Sequence, residues 1–381
     1  SRRLCNGSYW IWTEKESPEE GKMKKAAIAL VVFLVASSAG AATVRYVDFL
    51  DKMTDMKQLA TLPQPGETCK QFSSYDRRSI APDKPNWGAN GDAGNFLRED
   101  PEGMVLADMD GPGCIFRIWS ANPEGILKIF IDGQKEPSLQ CGFQDIVYGK
   151  VPPFLGPVVG RRAGGANLYF PIPYQKHCRV VVEKPKRMYH HVTYRTYPKG
   201  TKVESFHLPL RAEELAKLKN VIVQLEGRGK PPWELRGEVL GDHLSGGWKT
   251  FTLAPGETFK EEAQNDGPPV AIRAMRFRFL NLPEDLKERR KMLARTILRF
   301  FWDNETTPSV DAPIGDFFGT APGVNRYKSL PLGIAEDGIA YCYWYMAYRK
   351  AIRYEFENQG DKTVTFEATA LFERCEIPPD K

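Results

Sequence analysis

The chain has 381 residues, and its formal net charge of +5 comes from 53 basic and 48 acidic side chains with no block of lysine or arginine. That balance argues against nucleic acid as a partner. Its seven cysteines show no CxxC spacing, and its five histidines form no HExxH or spaced cluster. Zinc, a redox dithiol and transition-metal chemistry are disfavoured accordingly.

In chain order, residues 1 to 22 precede Met23 and end in Glu19-Glu20-Gly21-Lys22, which can all be written in purine codons, as a translated ribosome-binding site would be. They read as an over-extended gene start. Residues 23 to 41 then carry Lys24 and Lys25, an apolar run from Ala26 to Ala36 and the small residues Ala39-Gly40-Ala41. This order is that of a secretory signal peptide. The run falls short of the roughly 20 apolar residues that span a bilayer, and no cysteine follows it to carry a lipid. The expected location is periplasmic or extracellular, with no membrane association after cleavage. Loss of residues 1 to 41 removes six basic and four acidic side chains, so the net charge falls from +5 to +3.

The remainder is longer than one jelly-roll core needs, and the sequence divides it into a first sandwich over 42–209, a helical and loop connection over 210–245 and a second sandwich over 246–381. An internal repeat sets this division. "LKIFIDGQKEPS" at 127–138 returns as "LRFFWDNETTPS" at 298–309, and the alignment to Asp145 and Asp316 holds six identities in nineteen positions. "DGPGCIFR" at 110–117 matches "DGPPVAIR" at 266–273, and "YFPIPYQKHCR" at 169–179 matches "YWYMAYRKAIR" at 343–353. Collinear matches indicate a duplicated unit, and the growing offset places an insertion at the charged stretch "LPEDLKERRKMLA".

Runs such as "CIFRIWS" and "CRVVVEKP" alternate with Gly, Pro, Asn and Asp punctuation, the pattern of an antiparallel sandwich. Only "LRAEELAKLKN" and the inserted charged stretch read as helices. The predicted fold is all-β: two tandem jelly-roll β-sandwiches, a double jelly roll, with a few short helices. Six cysteines follow the leader, and in an oxidising compartment one or two disulfides are open to them.

"FSSYDR" at 72–77, "LADMDGPGCIFRIW" at 106–119, "YFPIPYQKHCRVVVE" at 169–183 and "FFWDNETTPSVDAPIGDFFG" at 300–319 resemble glycoside hydrolase family 172 over roughly Arg45 to Phe372. The resemblance implies a double jelly-roll protomer, assembly as a homotrimer or hexamer, an oligo- or polysaccharide substrate, and retaining cleavage of α-linked fructofuranosides or arabinofuranosides. It implies no cofactor. A calcium ion held by loop carboxylates stays open. The alternative is a non-catalytic carbohydrate-binding or capsid-like trimeric assembly protein.

Retaining hydrolysis needs two carboxyl groups about 5 to 5.5 Å apart. Asp303, Glu305, Asp311 and Asp316 fall within fourteen residues of the second hairpin, where the first copy has Gly133 and Gln134 in place of Asn304 and Glu305. Alternation would send 303, 305 and 311 to one rim, with Trp302 as a stacking platform. The resemblance makes Glu305 the first catalytic candidate, with Asp311 or Asp316 as its partner. The bland alternative is a solvated type I′ turn. The downstream segment 319–330 holds no acid, and Asn325 and Arg326 stand where a second carboxylate is expected. Trp302, Asp303, Asn325, Arg326 and, leading into "NWGANGDAGNF", Asp76 and Arg77 are the sugar-binding candidates, with a capped turn as the alternative for Asp76 and Arg77. Arg117 and Arg273 match between copies and read as structural, each paired with a carboxylate.

Overall fold

The computed structural model describes residues 43–240, 243–320 and 325–377. The leader and the segment before it lie outside the described residues. Two β-sandwiches follow one another, and in each the chain crosses repeatedly between two sheets, as a jelly roll requires.

In the first sandwich, one sheet orders Arg98–Asp100, Gly103–Asp110, His177–Glu183, Ile126–Ile131 and Leu139–Gly142. The other orders Thr68–Ser73, His190–Thr196, Gly113–Ser120, Gly165–Leu168 and Val159–Arg162. The second sandwich repeats the plan, with Thr258–Gln264, Ala351–Asn358, Thr296–Trp302 and Val310–Pro313 in its smaller sheet. Its larger sheet centres on Val270–Phe279 and Val364–Arg374. The repeat is also visible in register. Arg179 faces Phe130 across the first sheet, and Arg353 faces Phe301 across the second.

Alternation explains the cores. Ile115 and Ile118 both point into the first sandwich because a bulge at Phe116 shifts the alternation by one residue between them, and Leu298, Phe300 and Trp302 point into the second. Six phenylalanines are buried in the second core among the described residues. Phe251 and Phe366 each lie 5.0 Å from Phe356 between ring centroids, and Phe277 lies 5.8 Å from it. Such rings bury large apolar areas and favour tilted packing.

The helices differ in detail from the sequence reading. The first spans Ala212–Glu226, longer than its charged start suggested, because Leu218 and Val221 continue a buried stripe into the first core. The inserted stretch forms Leu286–Arg295, capped by Asp285, whose side chain accepts the Glu288 N–H. Short helices at Phe143–Val147 and Ile314–Phe317 occupy equivalent places in the two copies. Among the described residues no helix is long and apolar enough to cross a membrane. No disulfide forms among them either: all six cysteines are free, and burial pushes the Cys114 and Cys178 thiols well above their ordinary range.

His190 and His191 alternate faces, as expected for a strand. His190 is 1 % exposed with its ring stacked on Phe96 at 5.7 Å. Desolvation, then the nearby His191 and Arg77 charges, push its pKa down to about 4. Because the folded value lies below the unfolded 6.5, the fold binds fewer protons than the unfolded chain between those values. Stability is therefore full above pH 6.5 and falls as pH drops towards 4, by about 3 kcal/mol. Urea titrations of the chain and of His190→Phe should show that slope in the first and a flatter one in the second. Parallel slopes would remove His190 as the cause.

Candidate functional site

The duplicated hairpin is held by an aspartate, not by its glutamate. Asp303 and Asn304 both take left-handed backbone angles, φ 50° and 68°, as a type I′ turn demands. The Asp303 Oδ1 accepts the backbone N–H groups of Arg349, Lys350 and Ala351 at 2.8, 2.6 and 3.3 Å. Asp132 does the same in the first copy, accepting from Lys176 and His177. Asp303 thus ties the turn to the neighbouring strand, and the sugar-binding role expected of it gives way to a structural one.

Trp302 requires a second correction. It lies on the inward face, stacked on Phe300 at 5.3 Å and on Tyr348 at 6.2 Å, within the second core. Neighbouring side chains in a strand point to opposite faces, so the aromatic group beside the turn on the outer face is Phe301. The Arg353 guanidinium sits 3.5 Å from the Phe301 ring centroid. Phe301 and Arg353, together with Glu305, Glu262, Asn304, Thr306 and Ala351, line a depression of about 280 Å³ on the outer face of the smaller sheet.

Glu305 is exposed and oriented within this depression. Its Oε2 accepts the Ser309 hydroxyl at 2.6 Å. Opposite it, the Gln264 side-chain amide donates to Glu262 Oε1 at 2.8 Å and to Asn304 Oδ1 at 3.4 Å, linking the outer strand to the turn. Asp311 stands on the same sheet face but is engaged by Arg299, 2.9 Å away, which also holds Glu357 at 2.8 Å. Asp316 is exposed in the first turn of the Ile314–Phe317 helix. Neither lines the depression with Glu305.

The other candidates are spent elsewhere. Asp76 pairs with Arg78, not Arg77, and its carboxylate also accepts the Gly91 N–H. The Arg78 guanidinium, with the backbone N–H groups of Arg78 and Gly91, holds the Asp76 carboxyl well below the usual carboxylate range. It is a loop anchor. Arg77 donates to the Asn95 carbonyl and lies over Tyr75. Asn325 is bonded to Thr320 through both its backbone N–H and its side-chain amide. Arg326 is exposed, with Glu336 at 3.8 Å.

A cleft of about 680 Å³ is walled by Phe116, Val158, Tyr169 and Leu225 and carries Arg162, Arg228 and Lys328. No carboxylate lines it, so two-carboxylate hydrolysis has no place there. Glu204, His207 and Glu214 gather as cation ligands would, but Arg211 donates to both carboxylates and supplies the positive charge itself.

The sequence reading missed Glu262, Phe301 and Arg353. The repeat carried the signal, since Phe130 with Arg179 and Phe301 with Arg353 fall at matched positions of the two aligned segments.

Comparison with known proteins bears on the family. No curated protein matches the chain. Among solved structures, the major capsid protein P2 from bacteriophage PM2 is 9 % identical over 82 % of this chain and 99 % of its own, with a TM-score of 0.20. A structure of Sulfolobus Turreted Icosahedral Virus is 9 % identical over 81 % and 91 %, with a TM-score of 0.21. Likeness at that level carries no argument, and the fold assignment stands on the sheet order above. Two family models match in sequence order, "GH172 first beta-sandwich domain" over residues 65–214 and "GH172 domain-like" over 247–371. They meet the two sandwiches one each and together take in more than half of the chain, which therefore belongs to glycoside hydrolase family 172.

Proposed function

We propose that this protein is an exported glycoside hydrolase that cleaves α-linked furanosides, of fructofuranoside or arabinofuranoside type, with retention of configuration. Glu305 supplies one of the two carboxyl groups. The observation that carries the reading is the placement of Glu305 in an open depression beside an arginine stacked on an aromatic ring and a second glutamate. Guanidinium N–H groups match sugar hydroxyls, and a hydroxyl-bonded carboxylate is fixed in direction. Export to the periplasm or beyond follows from residues 23–41, and a homotrimer or hexamer is the expected assembly.

The test is release of p-nitrophenol from p-nitrophenyl α-D-arabinofuranoside, beside cleavage of α-linked difructosides, with light scattering on the same preparation. Turnover of either class with a trimeric or larger mass is expected. A chain that binds these sugars without turning them over would be the non-catalytic alternative, and a monomeric mass would refute the assembly.

A further inference from the structure

Three differences between the two copies converge on one place. In the first copy the outer edge of the sheet is covered by Arg98–Asp100, and Asp100 takes the Arg179 guanidinium that lies over Phe130. Asp108, opposite Arg179 in register, is engaged by Arg98 and by His177, the latter at 2.6 Å. Gln134, at the turn, is neutral. That face is therefore closed and internally neutralised.

In the second copy the arginine-on-aromatic pair is kept, but its surroundings are opened. Thr258–Gln264 is the sheet edge among the described residues, with no counterpart of Arg98–Asp100 beside it. Glu262 lies opposite Arg353 as Asp108 lies opposite Arg179, and among the described residues its carboxylate accepts only from the uncharged Gln264 amide. Among the described residues the carboxylate nearest Arg353 in an ion pair is Glu355, at 3.7 Å. Glu305 replaces Gln134. Relative to the first copy, the second lacks the covering strand among the described residues, bonds its register carboxylate to an amide where the first uses a guanidinium and an imidazole, and carries Glu305 for Gln134, all around one depression.

We propose that Glu262 is the second carboxyl group of the hydrolytic pair, the acid and base to the nucleophile Glu305, an inference that rests on the glycosidase reading above. In the first step a Glu305 carboxylate oxygen bonds to the anomeric carbon as the glycosidic C–O bond breaks, and Glu262 gives its proton to the departing oxygen. In the second, Glu262 takes a proton from water, the water oxygen bonds to the anomeric carbon, and the Glu305 ester bond breaks. Atoms and charge balance without a cofactor. Ser309 fixes the nucleophile, whereas Glu262, on an exposed edge, has the reach an acid and base needs.

The experiment compares the chain with Glu262→Ala, Glu262→Gln and Glu305→Gln on an α-linked difructoside and on p-nitrophenyl α-D-arabinofuranoside, with and without sodium azide. Exposed Glu262 can be replaced with little effect on folding, which circular dichroism checks. Glu262→Ala should lose on the order of 10²- to 10⁴-fold on the difructoside. The loss should be smaller on the aryl furanoside, whose leaving group departs without a proton, and azide should restore turnover with a glycosyl azide of retained configuration. Full activity of Glu262→Ala beside an inactive Glu305→Gln would overturn the assignment and leave the glycosidase reading intact. Absence of turnover by the unaltered chain on every furanoside would overturn both.

Discussion

Glu305→Gln is expected to lower furanoside hydrolysis by at least ~10²- to 10⁴-fold while leaving the fold unchanged. The first copy already contains the natural control. At the matched position Gln134 Oε1 accepts the Ser138 hydroxyl at 3.1 Å, as Glu305 accepts from Ser309. The turn geometry is the same, with Gln134 N–H bonded to the Ile131 carbonyl at 3.0 Å and Glu305 N–H to that of Trp302 at 2.9 Å. A glutamine therefore reproduces the hairpin contacts that Glu305 makes, and only the charge is lost. The unfolding free energy should move by no more than about 0.5 kcal/mol. Sugar binding, read by calorimetry, should survive. Equal turnover in both proteins would reduce Glu305 to a solvated turn residue, the bland alternative that its turn context always allowed.

Much of the architecture was legible because duplication writes the same constraints twice. The matched Asp132 and Asp303, Phe130 and Phe301, and Arg179 and Arg353 each proved to share a contact, not merely a residue type. Period-two alternation gave the strands, but Trp302 was assigned to the site because it adjoins the acids in sequence. Leu298 and Phe300, on its own parity, are core residues and force Trp302 inward. Clustering in sequence also misled. Asp303, Asp311 and Asp316 lie close to Glu305 along the chain, yet the first is consumed by backbone N–H groups and the second by Arg299, and the third does not line the depression with it. Glu262 is 43 positions from Glu305 and reaches the same depression only through the intervening strand Ala351–Asn358, by pairings that no local pattern announces.

Arg273→Ala should cost about 3–5 kcal/mol of stability, whereas Arg117→Ala, at the matched position of the first copy, should cost about 1 kcal/mol. Their surroundings decide the difference. Arg273 is 6 % exposed, between Trp233 and Tyr345, with Glu373 at 2.9 Å and Glu238 at 3.3 Å. The contact with Glu373 is poorly aligned for a hydrogen bond, so the attraction is chiefly between charges. Removing the guanidinium leaves Glu373, itself 9 % exposed, with Lys57 at 3.1 Å as its remaining cation. It also uncouples the 232–236 helix, which Arg273 joins to the strand through the Trp233 ring. Arg117 instead bonds the neutral Asn167 at 3.0 Å on a half-buried face, so its loss strands no charge. Urea unfolding of the two variants, and of Arg273→Met combined with Glu373→Gln, separates the terms. The double variant should recover most of the loss, because it removes both buried charges while keeping the volume. Similar small losses for Arg117→Ala and Arg273→Ala would mean that water reaches Glu373 freely and that the buried pair contributes no more than its exposed counterpart.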